Sequence, residues 1–201
     1  MIKVTENIYL RPVLSSDTAA LFSLMKEIYP LAYSHLWTDE GDWYVNAQYS
    51  KEPILKELLE EKSEDYFILF NDVIIGNFRF IWDEKLAGLS EEKQVKLHRI
   101  YLHPKTQRNG IGKILLAWLD AKAIEKKYKV IWLDAMNAQP QAFQFYKKLG
   151  YVYHSHVFLS FNFLRVFSSC VLSAHYEDSS FSSLVERSVQ LTTCILQLTT
   201  W

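Results

Sequence analysis

Residues 97–113 read Leu-His-Arg-Ile-Tyr-Leu-His-Pro-Lys-Thr-Gln-Arg-Asn-Gly-Ile-Gly-Lys, an apolar strand that runs into a glycine turn and at once into a helical pattern. This joint constrains the chain more than any other segment. Glycines at 110 and 112 remove the Cβ atoms that hold a ligand off the main chain. Consecutive N–H groups then converge on an anion at the positive end of the helix that follows. Two familiar phosphate loops are excluded at named residues. The dinucleotide fingerprint needs a third glycine where Leu115 stands, and the Walker loop needs Ser or Thr where Ile114 follows Lys113.

Hydrophobic periodicity supplies the surrounding elements. Residues 8–14 alternate as a strand, and Ser15, Ser16, Asp17 and Thr18 offer N-cap chemistry to a helix with Leu21, Leu24, Met25 and Ile28 on one face. Pro30 is predicted to end that helix. Residues 33–49 are aromatic and acidic, and a second helix is predicted over 52–62. Strands over 66–70 and 73–82 flank Asn71-Asp72, a two-residue hairpin signal. A strand over 95–102, a helix over 111–126, a strand over 130–134, a helix over 140–149 opening on Pro140, and a strand from Tyr151 complete the order βααβββαβαβ, an α/β chain.

With 22 Lys and Arg against 23 Asp and Glu, the chain has no basic stripe for nucleic acid. No apolar run approaches the roughly 18–20 residues of a membrane span, and the N-terminus lacks a signal-like apolar stretch, so the expectation is a cytoplasmic protein with no membrane partner. Cys170 and Cys194 are the sole cysteines, and His154-x-His156 has no further ligands beside it, so neither a disulfide framework nor a metal site is expected. Composition breaks near 166: the last lysine is Lys148, and 166–201 is rich in Ser and Thr. The predicted division is a domain over 1–165 and a tail over 166–201. The tail reads as a divergent closing strand and helix, a dimerisation arm, or a segment without selected structure, in a monomer or homodimer.

The spacing of Gln107, Gly110 and Gly112, followed by Asn137 and by Ala142-Phe-Gln-Phe-Tyr-Lys-Lys-Leu-Gly-Tyr151, resembles the GNAT superfamily of N-acetyltransferases. The resemblance spans 5–165 and is strongest over 95–152. Its nearest likeness is to the branch with bacterial spermidine/spermine acetyltransferases, and it also suits acetylation of protein N-termini. It implies a twisted mixed sheet with helices on both faces and acetyl-CoA as co-substrate, lying where the strands over 95–102 and 130–134 splay. It assigns the pyrophosphate to Gln107, Arg108, Asn109, Gly110, Ile111, Gly112 and Lys113, with Lys105 adding charge, and the pantetheine arm to Ile100, Tyr101, Leu102 and Asn137.

For catalysis the resemblance implies that the Leu102 N–H, near a bulge in its strand, polarises the thioester carbonyl and that Tyr146 protonates the departing sulfur. Some members carry a glutamate base where Lys96 stands here. His98 is the substitute candidate, and water-mediated deprotonation is the other route. The acceptor wall is expected from Tyr33, Trp37, Asp39, Trp43 and Tyr44, whose rings and carboxylate suit a cationic amine. The implied acceptor is a polyamine-like or amino-acid-like amine or a peptide N-terminus. The competing expectation is a non-catalytic acyl-CoA-binding module.

Overall fold

A computed structural model describes residues 1–158 and 168–176. Strands β1 (Ile2–Lys3) and β2 (Ile8–Pro12) precede helices α1 (Thr18–Tyr33), α2 (Asp42–Tyr49) and α3 (Lys51–Leu58). Then come β3 (Ser63–Phe70), β4 (Val73–Trp82), β5 (Gln94–Leu102), α4 (Ile111–Glu125), β6 (Val130–Met136), α5 (Pro140–Lys148), β7 (Val152–Phe158) and β8 (Ser168–His175). One mixed sheet holds all eight strands in the order β1-β2-β3-β4-β5-β6-β8-β7. Only β5 and β6 pair in parallel; the other neighbours are antiparallel.

Alternation along β3 divides the molecule into two cores. Tyr66 and Ile68 join Leu10, Phe78, Phe80 and Leu97 under Leu115, Leu116 and Leu119 of α4, with Phe145 and Tyr146 of α5 packed alongside. Phe67 and Leu69 face the other way, toward Leu21, Met25 and Ile28 of α1, Tyr49 of α2 and Ile54 of α3. Helices therefore cover both faces, as expected. The predicted hairpin turn is also present: Asn71 and Asp72 have φ of 49° and 62°, the left-handed pair that suits a tight antiparallel connection.

Two expectations are corrected. Helix α1 does not stop at Pro30 but runs to Tyr33, since proline removes one hydrogen bond while Tyr33 gains a stack on Tyr29 at 4.9 Å. The aromatic segment after it is not a long loop; Asp42–Tyr49 is helical, so three helices stand where two were predicted. Past the break in composition at 166, β8 starts at Ser168 and lies between β6 and β7, so the tail contributes a strand to the sheet. The rest of the predicted tail, 177–201, lies outside the described residues.

Candidate active site

Strands β5 and β6 pair from Gln94↔Val130 to Leu97↔Leu133 and no further. From His98 and Asp134 onward they part, and a cavity of about 100 Å³ opens between them. The parting has a local cause in β5. Phe80 of β4 faces Leu97 while its neighbour Arg79 faces Arg99, so His98 is an extra, unopposed residue that bends the strand. The bulge therefore sits at His98, four residues before Leu102, and not beside Leu102 as expected. Beyond it, the His103 N–H donates to the Ile75 carbonyl of β4 at 2.7 Å. Alternation then turns the N–H groups of Ile100 and Leu102 away from β4, toward the open side.

At the far end of β5, residues 103–110 carry the chain into α4. The His103 imidazole accepts from the Lys105 N–H at 3.1 Å and the Thr106 hydroxyl donates to the His103 carbonyl at 2.8 Å, which fixes the turn. Arg108 and Gly110 both have left-handed backbones, φ of 68° and 72°. A Cβ on Gly110 would meet nothing within 4 Å, so the concave side of this turn is open. The first N–H within α4 to find a carbonyl is that of Ile114, on Gly110 at 3.0 Å. The N–H groups ahead of it face outward at the positive helix end, a cradle that fits a phosphate group. Gln107, Arg108, Asn109 and Lys113 are exposed around it, whereas Ile111 points into the core. Gly112 has a further duty. A Cβ there would stand 3.3 Å from the Phe145 ring, so its absence also lets α5 approach α4.

Below the bulge lies a buried polar layer. Arg79 and Arg99 face each other across β4 and β5 at 1% and 3% exposure, a like-charge pair that carboxylates from α3 and the residues just after it hold in place. Glu57 takes Arg99 in a fork of 2.6 and 2.7 Å. Arg79 reaches Glu60 with one nitrogen and the His98 Nδ1 with another. The Arg99 guanidinium lies 4.6 Å over the Tyr49 ring, and Asp65 accepts from Asn77 at 2.6 Å. Burial lifts the Asp65 carboxyl to about 6 in spite of both arginines. Burial and then Arg99, Arg79 and Lys96 push the His98 imidazole down to about 2. A nitrogen that accepts from arginine and resists protonation is a poor proton acceptor for an ammonium ion, so these surroundings favour a spacing role for His98 at the bulge over that of a base.

The other expected residues separate into those that line the cavity and those that do not. Tyr146 lines it, packed on Tyr151 with centroids 5.7 Å apart, and burial holds its hydroxyl above the ordinary phenol range. Tyr33 and Tyr101 also line it, their rings 5.6 Å apart at 85°. Tyr44 stands one layer behind, its hydroxyl 3.4 Å from that of Tyr101. Trp37 is core, 2% exposed, and donates to Tyr29 at 3.1 Å. Trp43 packs beside it, and Asp39 caps the start of α2 by accepting from the Gly41 and Trp43 N–H groups at 3.2 and 2.6 Å. These three build the wall's support and not its surface. Asn137 turns toward the outer strands, donating to His156 at 2.6 Å and accepting from the Cys170 thiol at 2.9 Å.

Sequence reasoning missed Asp134 and Gln139, both on the cavity. Gln139 ties the start of α5 to the end of α1 by donating to the Ala32 carbonyl at 3.1 Å. Its signal was absent, since a glutamine before a helix is ordinary. Among the described residues, no group of three or more His, Cys, Asp or Glu could hold a metal, and no helix is long and apolar enough to cross a membrane.

The architecture has known counterparts. The fold is similar to that of the PaiA N-acetyltransferase of Thermoplasma acidophilum in complex with coenzyme A, at 20% identity and a TM-score of 0.65 over 84% of this chain and 99% of that one. It is similar also to a GNAT family acetyltransferase of Elizabethkingia anophelis with acetyl-CoA bound, at 20% identity and a TM-score of 0.56 over 86% and 100%. The microcin C7 self-immunity acetyltransferase MccE, in complex with acetyl-CoA and AMP, matches at 15% identity and a TM-score of 0.64 over 87% and 96%. Residues 20–151, which hold the cradle, the splayed strands and α5, match the acetyltransferase (GNAT) family. This chain belongs to the GNAT family of acetyltransferases.

Proposed function

We propose that this chain transfers an acetyl group from acetyl-CoA to a primary amine, with both substrates bound at once across the gap between β5 and β6. One observation carries the reading: the gap opened at His98 and the outward N–H cradle at Gly110 lie at the two ends of one strand segment, joined by the open N–H edge of Ile100 and Leu102. That arrangement suits an extended acyl carrier with phosphates at one end and a thioester at the other.

Backbone N–H groups from Arg108 to Lys113 hold the phosphates, with Arg108 and Lys113 side chains adding charge at the rim. The free edge of β5 pairs with amide groups of the pantetheine arm like an added strand. The Leu102 or Ile100 N–H is placed to stabilise negative charge on a carbonyl oxygen, and Tyr146, protonated at every working pH, to give a proton to the leaving thiolate. The resistance of His98 to protonation favours a second reading, a non-catalytic acyl-CoA-binding module. Thiol release from acetyl-CoA with a panel of primary amines separates the two. Calorimetric binding of acetyl-CoA without thiol release on any amine supports the module.

A further inference from the structure

We infer that Asp134 receives the acceptor's ammonium group and its proton, and that the acceptor is a primary amine with a single positive charge on an apolar or aromatic body. The inference rests on the transferase reading and deepens it. Asp134 stands on β6 at the point where pairing with β5 ends, and it lines the cavity. Of the other ionisable groups there, His98 resists protonation, Tyr33, Tyr101 and Tyr146 have hydroxyls shifted upward, and Arg99 is already forked to Glu57. Asp134 is the one carboxylate among the described residues that line the cavity. Its side chain is 38% exposed, so an incoming amine can reach it.

The partners of this carboxylate narrow the substrate. Lys96, at the position where a glutamate base was expected, places its Nζ 3.2 Å from Asp134 Oδ2 and 4.4 Å from the centre of the Trp132 ring. Oδ1 has no partner among the described residues. The carboxylate needed near Lys96 has thus moved to the neighbouring strand, with one oxygen committed and one available. An ammonium on Oδ1 leaves the local group of Lys96, Asp134 and substrate with a net positive charge. Glu57 and Glu60 cannot offset it, because they already serve Arg99 and Arg79. A second ammonium on the same substrate therefore meets like charge and no free carboxylate. The rest of the cavity includes Tyr33 and Tyr101 at right angles, Met136, Ala142 and Tyr146, with Gln139, whose amide already donates to the Ala32 carbonyl, a mainly apolar lining suited to an apolar or aromatic body.

The step balances without any further reagent. The ammonium gives one proton to Asp134, the freed lone pair forms the C–N bond at the thioester carbon, and the C–S bond breaks with its electron pair on sulfur. The nitrogen then loses its second proton to solvent, Tyr146 protonates the thiolate and recovers its proton from solvent, and Asp134 returns to the carboxylate. One proton is released per amide formed.

The test compares hexylamine with 1,6-diaminohexane, which differ by the second ammonium, and adds phenethylamine, glycine and spermidine, all with acetyl-CoA and thiol release as the readout. For the wild-type chain, kcat/KM is expected to be at least about tenfold higher for hexylamine and phenethylamine than for the diamine and spermidine. Lys96→Met should narrow the hexylamine-to-diamine ratio. Asp134→Asn should lower kcat/KM on the preferred amine by roughly 10²-fold or more, with acetyl-CoA affinity by calorimetry within about twofold of wild type, and Asp134→Glu should recover part of the loss. Preference for spermidine, the diamine or glycine, or an Asp134→Asn variant that turns over like wild type, overturns this inference and leaves the transferase reading intact. No thiol release on any amine overturns both.

Discussion

His98, half-buried, and Asp65, buried, both meet the arginine layer of the sheet and carry shifts that act on stability in opposite directions. The folded imidazole sits near 2, below its unfolded value near 6.5, so its contribution is full above pH 6.5 and is lost as pH falls. The folded Asp65 carboxyl sits near 6, above its unfolded value, so its contribution is full below about pH 3.8 and is lost as pH rises through 6. Between pH 6 and 4 each changes by about 1.4 kcal/mol per unit and they offset. His98→Asn keeps an acceptor for Arg79 and removes the imidazole's share. Urea titrations at pH 7, 6, 5 and 4 should show the variant gaining on wild type as pH falls, and parallel curves would contradict the depressed imidazole. Tyr146→Phe addresses a different role at the same scale. It removes a hydroxyl and keeps the ring, so kcat should drop by roughly 10²-fold with acetyl-CoA affinity and melting temperature little changed. A melting temperature lowered at normal turnover would mark Tyr146 as packing alone.

The cradle was legible because its chemistry is local: the glycine positions, the strand before and the helix after are contiguous in sequence. Its second duty was not, since the contact of Gly112 with Phe145 joins residues of two helices that only the fold brings together. The two glycines should therefore respond differently to valine. Gly110→Val forces a side chain into a left-handed backbone at a cost of about 1–2 kcal/mol but into open space, so the chain folds and acetyl-CoA affinity falls at least about tenfold. Gly112→Val presses α5 away from α4, so the melting temperature falls together with affinity. Calorimetry and thermal unfolding on both variants check the contrast, and equal melting temperatures would remove the packing role of Gly112. The residues expected in the acceptor wall divide for a related reason. Aromatic and acidic residues over 33–44 look like a binding loop in sequence, whereas Trp37 is needed under α1 and Asp39 is needed to cap α2. The bulge is the least legible feature, because an unopposed residue is a property of two strands and not of one.

At the scale of the molecule, the open question in the sequence was which reading of the tail holds, and composition left it open for a physical reason. Strand β8 runs between β6 and β7, with Leu172 and Ala174 in the core under α4 and Val171 against Trp132 on the other face. A strand covered on both faces has no reason to alternate, so Ser-Ser-Cys-Val-Leu-Ser-Ala-His shows no period of two. Ser173 is 1% exposed in that strand, its hydroxyl 3.2 Å from His175 Nε2. A chain ending at residue 165 lacks this strand. It exposes the β6 edge from Val130 to Met136, which β8 pairs in full, and it leaves β7 without a neighbour. Burying Val171 and Leu172 alone contributes about 1.5–3 kcal/mol each, and the lost ladder adds to that, against a total stability of about 5–15 kcal/mol for a domain. The shortened chain is therefore expected to lose cooperative thermal unfolding and acetyl-CoA binding together, measured by circular dichroism and calorimetry beside the 201-residue chain. If residues 1–165 melt within about 3 °C of the 201-residue chain, a shift of roughly 1 kcal/mol or less, β8 is an ornament on a complete domain and the boundary at 165 stands.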